Sequence, residues 1–580
     1  MGAFFISTRK SGEASKRLLA RGVGSLRAQG FNESLAISTA DVDVVVFSKY
    51  GGGGIQLFTR DQENFALLTG TVIYGNVSGI GAAKRFLDDF EFGAPAWHGI
   101  SGQFCAIVCR GGKLCLFVDR LGVYKVYTDS SRMVFSSSFL AVCDAIESLE
   151  IDSQAVYEYA FQGATYGGST VMKNVKVISG DGCHSLGRET TFDHWADGPP
   201  SRVEEAPIEE HIEIALRNLR RVYKGIASSF GNNVSLGLSG GYDSRLTLAL
   251  LREQGITPAL HVYGRKQDAD VRIALEIAAG ENLAIQHIDK SSLAEVHPDS
   301  FRVTVERNFL ALDGCPPDGI FSSGADVQTR GDRCANGELA LNGGGGEIFR
   351  NFFYFPDHPS SIRAILWSFY SQYDPVSCTE RFSQASYLAR LEQKIAAELG
   401  AHEGSLKRIQ IELLYPLFRC RYWMGKNNSN NNRFGWALTP FLDTETVWDA
   451  ARVPLRHKQH GRLQAALIRR INTRLAKYPS VYGHDFSSNP PLRRMLSDQL
   501  SLLRPPMLRR YTYRIKYRRP KPRAHYLEDR FVHRAVDGSF PLVSRFFKVD
   551  RINDTAVYGR ICTLEFLFER YSPLGGERLD

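Results

Sequence analysis

The sequence predicts two folds in tandem, an N-terminal α+β sandwich and a C-terminal α/β domain built on a parallel sheet. Short apolar runs separated by turns fill residues 100–140, and hairpin following hairpin is typical of antiparallel sheets. Beyond residue 230 the order becomes strand, helix, strand, helix, strand, which favours a parallel sheet with right-handed crossovers. An acidic, proline-containing stretch at residues 197–207 is the predicted linker between the two.

Length and composition agree with this division. The chain has 580 residues and is 43% apolar, which is enough for two or more domains with cores of their own. Its longest apolar runs are far shorter than a membrane span, and the first residues carry no signal-like apolar core. We therefore expect no integral membrane segment and a cytoplasmic location. The ten cysteines are scattered without metal-ligand spacing and are expected to be core thiols.

The most informative segment lies between a predicted strand and a predicted helix. A helix over residues 211–228 precedes a strand at 234–238, and a second helix is expected from Arg245 until Gly255 ends it. Further strands are predicted at 259–263 and 283–288, with a helix at 270–279 between them. The final segment, residues 558–571, is predicted to be an amphipathic helix that docks on the body of the protein. The segment itself consists of Ser239, Gly240, Gly241, Tyr242, Asp243 and Ser244.

This glycine turn has the chemistry of a phosphate cradle. Glycines let the backbone approach an anion, the following helix directs N–H groups towards it, and Asp243 can bind Mg²⁺. The spacing is not that of the Walker lysine loop. An ordinary serine- and glycine-rich turn is the alternative, but the order of strand, motif and helix disfavours it. Ligands of parallel sheets bind at the carboxyl ends of the strands, where this turn lies.

Three segments together carry a resemblance to a known family. They are S-G-G-Y-D-S at residues 239–244, N-G-G-G-G-E-I-F at 342–349 and T-P-F-L-D at 439–443, preceded by D-R-L-G at 119–122. In this order and separation they resemble the glutamine-dependent asparagine synthetase family, which includes β-lactam synthetases and lasso-peptide cyclases. The resemblance implies an Ntn-hydrolase-like (class II glutaminase-like) sandwich at residues 1–200. An ATP-pyrophosphatase domain, adenine nucleotide alpha hydrolase-like, would follow at 205–480, and a basic helical extension at 481–580.

The resemblance implies ATP and Mg²⁺ as cofactors and assigns residues to them. Asp243 and Glu347 would bind Mg²⁺, although Glu347 could instead cap a helix starting near Ile348. Tyr263 could equally be an ordinary sheet residue. The second loop departs from the family's usual G-[ED]-G-S-D-E, because Gly346 stands where an acidic residue is expected. The nucleotide-binding set would be Leu238, Ser239, Gly240, Gly241, Asp243, Ser244, Tyr263, Asn342 and Gly343.

The family also uses a lysine to stabilise the adenylate. Lys458 is our choice, with Glu347 as the other catalytic residue. His460 could fill the same position, and the basic residues around Lys458 could also form a surface cluster.

The N-terminal domain departs from the family at its nucleophile. Class II glutaminases use a cysteine directly after the initiator methionine, whereas this chain begins Met1-Gly2-Ala3 and its first cysteine is Cys105. Thr69 also stands where the family's asparagine is expected. A different start site would account for the first difference but not for the second. We therefore expect an inactive glutaminase domain.

The function that the resemblance implies is that of an ATP-dependent, AMP-forming carbon–nitrogen ligase. It would adenylate a carboxylate of unknown identity and form an amide with ammonia or a substrate amine. Two alternatives stay open: a non-catalytic nucleotide-binding regulatory or scaffold protein, and a tRNA-modifying ATP pyrophosphatase.

The net charge of +9 originates mainly in residues 493–523, where Asp498 is the single acidic residue. This segment suggests an anionic polymer or glycan as a partner, or a membrane surface. A solvated face or a subunit contact is the simpler interpretation.

Overall fold

The computed structural model describes residues 1–8, 12–90, 95, 97–187, 189–290, 295–402 and 404–571. Its strands are β1 (Ala3–Thr8), β2 (Ser34–Ser38), β3 (Val42–Phe47), β4 (Leu57–Thr59), β5 (Phe65–Tyr74), β6 (Val77–Ser78), β7 (Ile100–Arg110), β8 (Lys113–Val118), β9 (Tyr127–Asp129), β10 (Val134–Ser136), β11 (Val175–Val177), β12 (Gly182–Leu186), β13 (Thr191–His194), β14 (Val234–Gly237), β15 (Ala259–Tyr263), β16 (Ile285–Ile288), β17 (Leu339–Leu341), β18 (Ser360–Ser361), β19 (Ser405–Leu406) and β20 (Trp436–Leu438).

Its α-helices are α1 (Glu13–Ala28), α2 (Gly79–Asp89), α3 (Phe139–Ala145), α4 (Ser153–Gln162), α5 (Ile208–Phe230), α6 (Tyr242–Glu253), α7 (Ala269–Gly280), α8 (Phe301–Ala311), α9 (Ala325–Asp332), α10 (Ile362–Ile365), α11 (Gln384–Leu399), α12 (Arg408–Leu414), α13 (Gly425–Phe434), α14 (Thr444–Arg452), α15 (Leu455–Lys458), α16 (Arg462–Ile471), α17 (Thr473–Lys477), α18 (Leu492–Leu503), α19 (Pro506–Arg518), α20 (Asp529–Ala535) and α21 (Thr555–Tyr571). A π-helical segment, Tyr415–Met424, joins α12 to α13.

The N-terminal part is a sandwich of two antiparallel sheets. One sheet has the order β11-β9-β10-β1-β3-β2, and the other has the order β13-β12-β8-β7-β5-β4 with β6 paired to β5. Phe4 and Ile107 belong to a core formed by residues of both sheets. Phe86 of α2 packs in a second core with Phe104 and Phe117. These layers confirm the predicted hairpins and are compatible with an Ntn-type sandwich.

The second architectural unit is a parallel sheet of five strands in the order β16-β15-β14-β17-β20. Leu236 of β14 aligns with Leu260 of β15 and with Leu341 of β17. Strands covered by helices are expected to be apolar throughout, and Val234 and Leu236 are fully buried. The predicted parallel order is therefore confirmed, and β14 lies between its two neighbours at the centre of the sheet.

Buried polar bonds join the sandwich to the parallel sheet. The Gln103 side chain donates to the carbonyl of Thr439 (3.1 Å), and Thr71 Oγ1 donates to Asn432 Oδ1 (2.7 Å). Buried polar groups are retained where their hydrogen bonds are satisfied, so these contacts define the orientation of one unit against the other.

Two predictions about helices need correction. The helix after the glycine turn begins at Tyr242 rather than at Arg245, so Asp243 and Ser244 lie in its first turn. The last helix was expected to be amphipathic, but α21 is buried on all sides from Val557 to Phe568. It therefore belongs to the core. None of the described helices combines the length and apolar character that a bilayer crossing requires.

Candidate nucleotide-binding site

The glycine turn connects the central strand β14 to α6 at the carboxyl edge of the parallel sheet. Ser239 N donates to Ser244 Oγ (3.0 Å), and the two serine hydroxyls lie 3.0 Å apart. Gly240 N donates to Asp270 Oδ1 (2.9 Å), which ties the turn to α7. The first-turn N–H groups of a helix have no partner within the helix. The start of α6 at Tyr242 thus brings such groups into the turn itself.

The second predicted loop follows β17, the neighbour of β14, and lies against the first. Asn342 Oδ1 accepts a hydrogen bond from Gly344 N (2.9 Å). A Cβ on Gly343 would lie 3.2 Å from Ser244 N, so a side chain there would crowd the glycine turn. A Cβ on Gly346 would lie only 2.4 Å from Asp243 Oδ1. The lack of a side chain at Gly346 therefore leaves room for the Asp243 carboxylate.

Asp243 and Glu347, the predicted magnesium ligands, converge on one arginine. Arg350 Nη2 lies 3.1 Å from each Asp243 oxygen and 3.5 Å from Glu347 Oε1. Gln464 donates to Asp243 Oδ1 (2.7 Å), and the Tyr415 hydroxyl donates to Glu347 Oε2 (2.6 Å). Burial raises the pKa of Asp243 to about 6, and the Glu347 carboxylate adds to that rise, while Arg350 opposes it.

This donor set fits a magnesium nucleotide. Mg²⁺ in such sites takes one or two protein carboxylates and completes its shell with phosphate oxygens and water. Asp243 and Glu347 would supply the two carboxylates, and Arg350 brings a positive charge to both. Within the described part of the chain, no group of three or more histidine, cysteine, aspartate or glutamate residues is arranged to hold a metal by itself.

Lys458 is fully buried and is paired with a carboxylate. Its Nζ lies 2.5 Å from Glu412 Oε2, and Arg408 contacts the same carboxylate. Burial lowers the pKa of Lys458, while Glu412 opposes that shift. The expected alternative of a solvated basic cluster does not describe this buried side chain. His460 instead contacts Asp498 through Nδ1 (3.0 Å).

A cavity of about 90 Å³ brings these groups together. Arg350, Lys458 and His460 all contribute to its wall, so the cavity joins the arginine that pairs with Asp243 and Glu347 to the two residues predicted for the adenylate-stabilising position. The two carboxylates themselves are not among its lining residues. The lining residues are Tyr242, Arg350, Asn351, Tyr354, Lys458, Gln459, His460, Gly461, Tyr482, His484, Arg494, Asp498, Gln499 and Leu502.

Leu238 and Tyr263 lie at neighbouring strand ends, outside that cavity. Leu238 is buried and its N–H donates to the carbonyl of His261 (2.9 Å), which continues the β14–β15 pairing. Tyr263 ends β15 and is half-buried, with Lys290 Nζ 4.8 Å from its ring centroid. They border the glycine turn on the β15 side, and their role with adenine stays a prediction.

Sequence reasoning missed the residues that cover the turn. Val481 N donates to the carbonyl of Gly240 (3.3 Å), and a Cβ on Gly240 would lie 2.7 Å from the Val481 side chain. The Tyr482 hydroxyl accepts from Arg350 Nη1 (3.0 Å). Arg350 could have been found from its position three residues after Glu347, a spacing that favours an ion pair. Residues 481 and 482 carry no comparable signal.

Near Met1 and Thr69, where the sequence comparison expects the glutaminase nucleophile, none of the described residues is a reactive thiol. Thr69 Oγ1 donates to the carbonyl of Met1 (3.2 Å) and lies 2.7 Å from the Tyr124 hydroxyl. Cys105 is aligned with Thr69 on β7, and burial raises its pKa well above the usual range. Because the thiolate is the nucleophile, Cys105 is unsuited to that role. Lys49 lies in the same region with its Nζ 3.3 Å from the carbonyl of Gly70.

The chain matches no protein-family model and no curated protein. Among solved structures it is similar to the glutamine phosphoribosylpyrophosphate amidotransferase from B. subtilis complexed with ADP and GMP. That match has 10% identity and a TM-score of 0.22, and it covers 60% of this chain and 77% of the other. A structure described as the allosteric regulatory enzyme of purine biosynthesis matches with 10% identity and a TM-score of 0.22, covering 72% of this chain and 91% of the other. Scores this low carry no argument about function.

Proposed function

We propose that the protein is an ATP-dependent, AMP-forming carbon–nitrogen ligase that adenylates a carboxylate and then forms an amide. One observation carries the proposal: the 239–244 turn and the 342–349 loop leave adjacent parallel strands and bring Asp243 and Glu347 to a common cation. A phosphate cradle beside two carboxylates suits a magnesium-bound triphosphate.

The proposed reaction has two steps. A substrate carboxylate oxygen attacks the α-phosphorus of ATP and pyrophosphate leaves. The amine nitrogen then attacks the acyl carbon, AMP leaves with the bond electrons, and the amine loses a proton. Mg²⁺ would neutralise charge that develops on the departing pyrophosphate. The first turn of α6 would bind the same group through its N–H groups, and Asp243 and Glu347 would hold the metal.

Lys458 would stabilise the negative charge that develops in the reaction. It lines the cavity next to Arg350, and a buried ammonium can stabilise negative charge on a phosphate or a tetrahedral carbon. Glu412 pairs with it in this structure and keeps its charge compensated. The nitrogen donor would be ammonia, free or from a partner glutaminase, or an amine on the substrate, because burial keeps the Cys105 thiol protonated and Thr69 carries no thiol.

Pyrophosphate release tests this proposal. Purified protein is given ATP, Mg²⁺ and a panel of carboxylates, with ammonia and glutamine supplied separately. Asp243→Ala should abolish release, whereas Asp299→Ala, at a residue whose side chain is 66% exposed, should leave it unchanged. Activity with ammonia but not glutamine would support both the ligase and the inactive glutaminase domain. Turnover that needs neither would indicate an amine carried by the substrate.

A second candidate is a nucleotide-binding protein without catalysis. The ion pairs favour this candidate, because Arg350 is already paired with Asp243 and Glu412 with Lys458, and catalysis would need both Asp243 and Lys458. ATP binding without pyrophosphate release across the panel would support this candidate. A tRNA-modifying pyrophosphatase would instead require strongly salt-dependent affinity for tRNA.

A further inference from the structure

Helix α18 is oriented with its apolar side towards solvent. Four leucines repeat at spacings of four, four and three residues, which puts them on one helical face. They are Leu492, Leu496, Leu500 and Leu503, exposed at 77%, 64%, 70% and 74%. On the inner side, Asp498 is buried and contacts His460 and Arg494. An ordinary surface helix has the opposite orientation, with its apolar stripe towards the core.

Helix α19 repeats this arrangement. Met507, Leu508, Tyr511 and Ile515 are exposed at 50%, 53%, 46% and 58%. We call these four residues and the four leucines of α18 the leucine face.

Polar contacts on the inner side fasten α19 to the body. Buried Arg509 donates to the carbonyl of Tyr354 (3.4 Å), and the Tyr513 hydroxyl donates to the carbonyl of Ser368 (2.8 Å). Arg509 also donates to the carbonyl of Ser501 (2.6 Å), which ties α19 to α18. The outward orientation is therefore fixed by specific hydrogen bonds.

Positive charge surrounds the leucine face. Residues 492–523 contain eleven arginines and lysines and one acidic residue, Asp498, which points inward. Arg493, Arg504, Lys516 and Arg519 are exposed. Arg518 and Lys521 are paired with Asp374 and Asp554. The face thus combines apolar side chains with basic residues and lacks an outward carboxylate of its own.

We propose that the leucine face docks on an anionic membrane surface. Amphipathic helices of this composition lie in the bilayer interface, where apolar side chains enter the acyl boundary and basic residues contact lipid phosphates. A second copy of the chain fits poorly, because a two-fold contact would set one basic rim against another. A glycan or nucleic acid would leave eight exposed apolar side chains without a role. An anionic bilayer complements both the charge and the apolar surface.

Docking would also bring a specific part of the protein to the membrane. The inner side of α18 supplies Arg494, Asp498, Gln499 and Leu502 to the wall of the candidate site's cavity. The same helix therefore contacts the bilayer on one side and the cavity on the other. The docking itself does not depend on the proposed ligase activity.

Vesicle flotation of the full chain tests the docking. The protein should float with vesicles of equal parts phosphatidylglycerol and phosphatidylcholine, and should not float with phosphatidylcholine alone. Leu496→Ser/Leu500→Ser/Leu503→Ser should weaken partitioning about 100-fold, because three apolar insertions are lost. Val303→Ser is the matched control, since Val303 is 70% exposed on α8 and lies outside the leucine face. In the double variant Arg504→Gln/Lys516→Gln, each of the two lost charges should weaken partitioning about fivefold.

A reporter variant separates insertion from a folding defect. Leu500→Trp adds an indole at the centre of the leucine face, and brominated anionic lipids should quench its fluorescence beyond the quenching of the six native tryptophans. Failure of the wild-type chain to float with anionic vesicles would overturn the proposal. So would flotation that the serine variant leaves unchanged, since that indicates a purely electrostatic polyanion surface. A dimer that the serine variant converts to monomer would assign the face to self-association.

Discussion

The loops at the edge of the parallel sheet and the part of the sandwich around Lys49 treat buried charge differently. At the sheet edge, Asp243 and Glu347 share Arg350. In the sandwich, Lys49 contacts neutral oxygens of Gly70, Asn432 and Gly435. Charges paired with each other can exchange partners when a ligand brings phosphate and metal. A lone buried cation has no such exchange available, and it serves the interface between the two units.

The largest expected effect comes from removing the first carboxylate. Asp243→Asn keeps the shape of the side chain but removes the negative charge that would hold the metal beside the glycine turn. We expect pyrophosphate release to fall at least about 100-fold. Asp299→Asn, at an exposed position, is the control. Undiminished pyrophosphate release in Asp243→Asn would contradict a catalytic role for the carboxylates at the sheet edge.

A smaller loss is expected from filling the space beside that carboxylate. In Gly346→Ala the new Cβ would meet Asp243 Oδ1 at 2.4 Å, so the carboxylate must move. We expect the variant to fold and its pyrophosphate release to fall on the order of tenfold. A displaced metal ligand should reduce the rate of catalysis more than it reduces the stability of the fold. Gly24→Ala offers a matched control, since its Cβ would have no neighbour within 4 Å. Equal activity of both variants would contradict the assignment of Asp243.

Removing the shared cation tests whether a metal can replace it. Arg350→Gln leaves two carboxylates close together and should cost about 3 kcal/mol of unfolding free energy, the lower end for a buried pair, because these side chains are 18% to 25% exposed. The folded-state pKa of Asp243 lies above its ordinary value of 3.8, at about 6. The folded chain therefore binds more protons between these two values, and the free energy of unfolding falls as the pH rises from the lower value to the higher one. Without Arg350 the pKa should rise further, and the loss should extend to higher pH.

Thermal melts with and without Mg²⁺ measure this exchange. Mg²⁺ should raise the midpoint of Arg350→Gln more than that of the wild-type chain, because the metal would restore a cation between Asp243 and Glu347. Na⁺ at equal ionic strength controls for nonspecific screening. If Mg²⁺ raises the midpoint of the variant no more than that of the wild-type chain, the two carboxylates are not a metal site.

The sequence predicted the parts of the site that local pattern determines. The strand at Ala259–Tyr263 was predicted at its observed bounds, and β14 followed by a glycine turn placed Asp243 at the sheet edge. The start of α6 was predicted three residues late, because the helix begins inside the motif itself. The outward face of α18 could not be predicted, since its four leucines have the spacing of an ordinary core-facing stripe. The contact of buried Asp498 with His460, made possible by the tertiary fold, places the leucines on the side of α18 that faces solvent.

Long-range partners are the other part that local pattern does not give. Glu412 lies 46 residues before Lys458, and Gln464 lies 221 residues after Asp243. Nothing in either local sequence distinguishes these partners from other polar residues on helices. The glycine motif can be recognised from local sequence, whereas the charge pairs of the site form only once the tertiary fold brings distant residues together.

The smallest predicted effect concerns Lys49, where a pH titration separates a lone cation from a paired one. Burial lowers the pKa of Lys49 to about 7, below its unfolded value, so the unfolded chain binds more protons between these values. Stability should therefore rise with pH above about 7, by at most about 1.4 kcal/mol per pH unit for this residue. Lys49→Met should remove this contribution.

Lys125 should retain part of this pH dependence of stability when Lys49 is replaced. Burial lowers its pKa to about 7 as well, so it should contribute a similar slope. Lys49→Met should then reduce the slope of unfolding free energy against pH by at most about 1.4 kcal/mol per pH unit and leave the contribution of Lys125 in place, as measured by denaturant titrations across that range. Lys16→Met, at a side chain 74% exposed, should leave the slope unchanged. An unchanged slope in Lys49→Met would mean that the surrounding carbonyl oxygens keep Lys49 charged, and the contrast with the paired charges of Asp243 and Arg350 would then disappear.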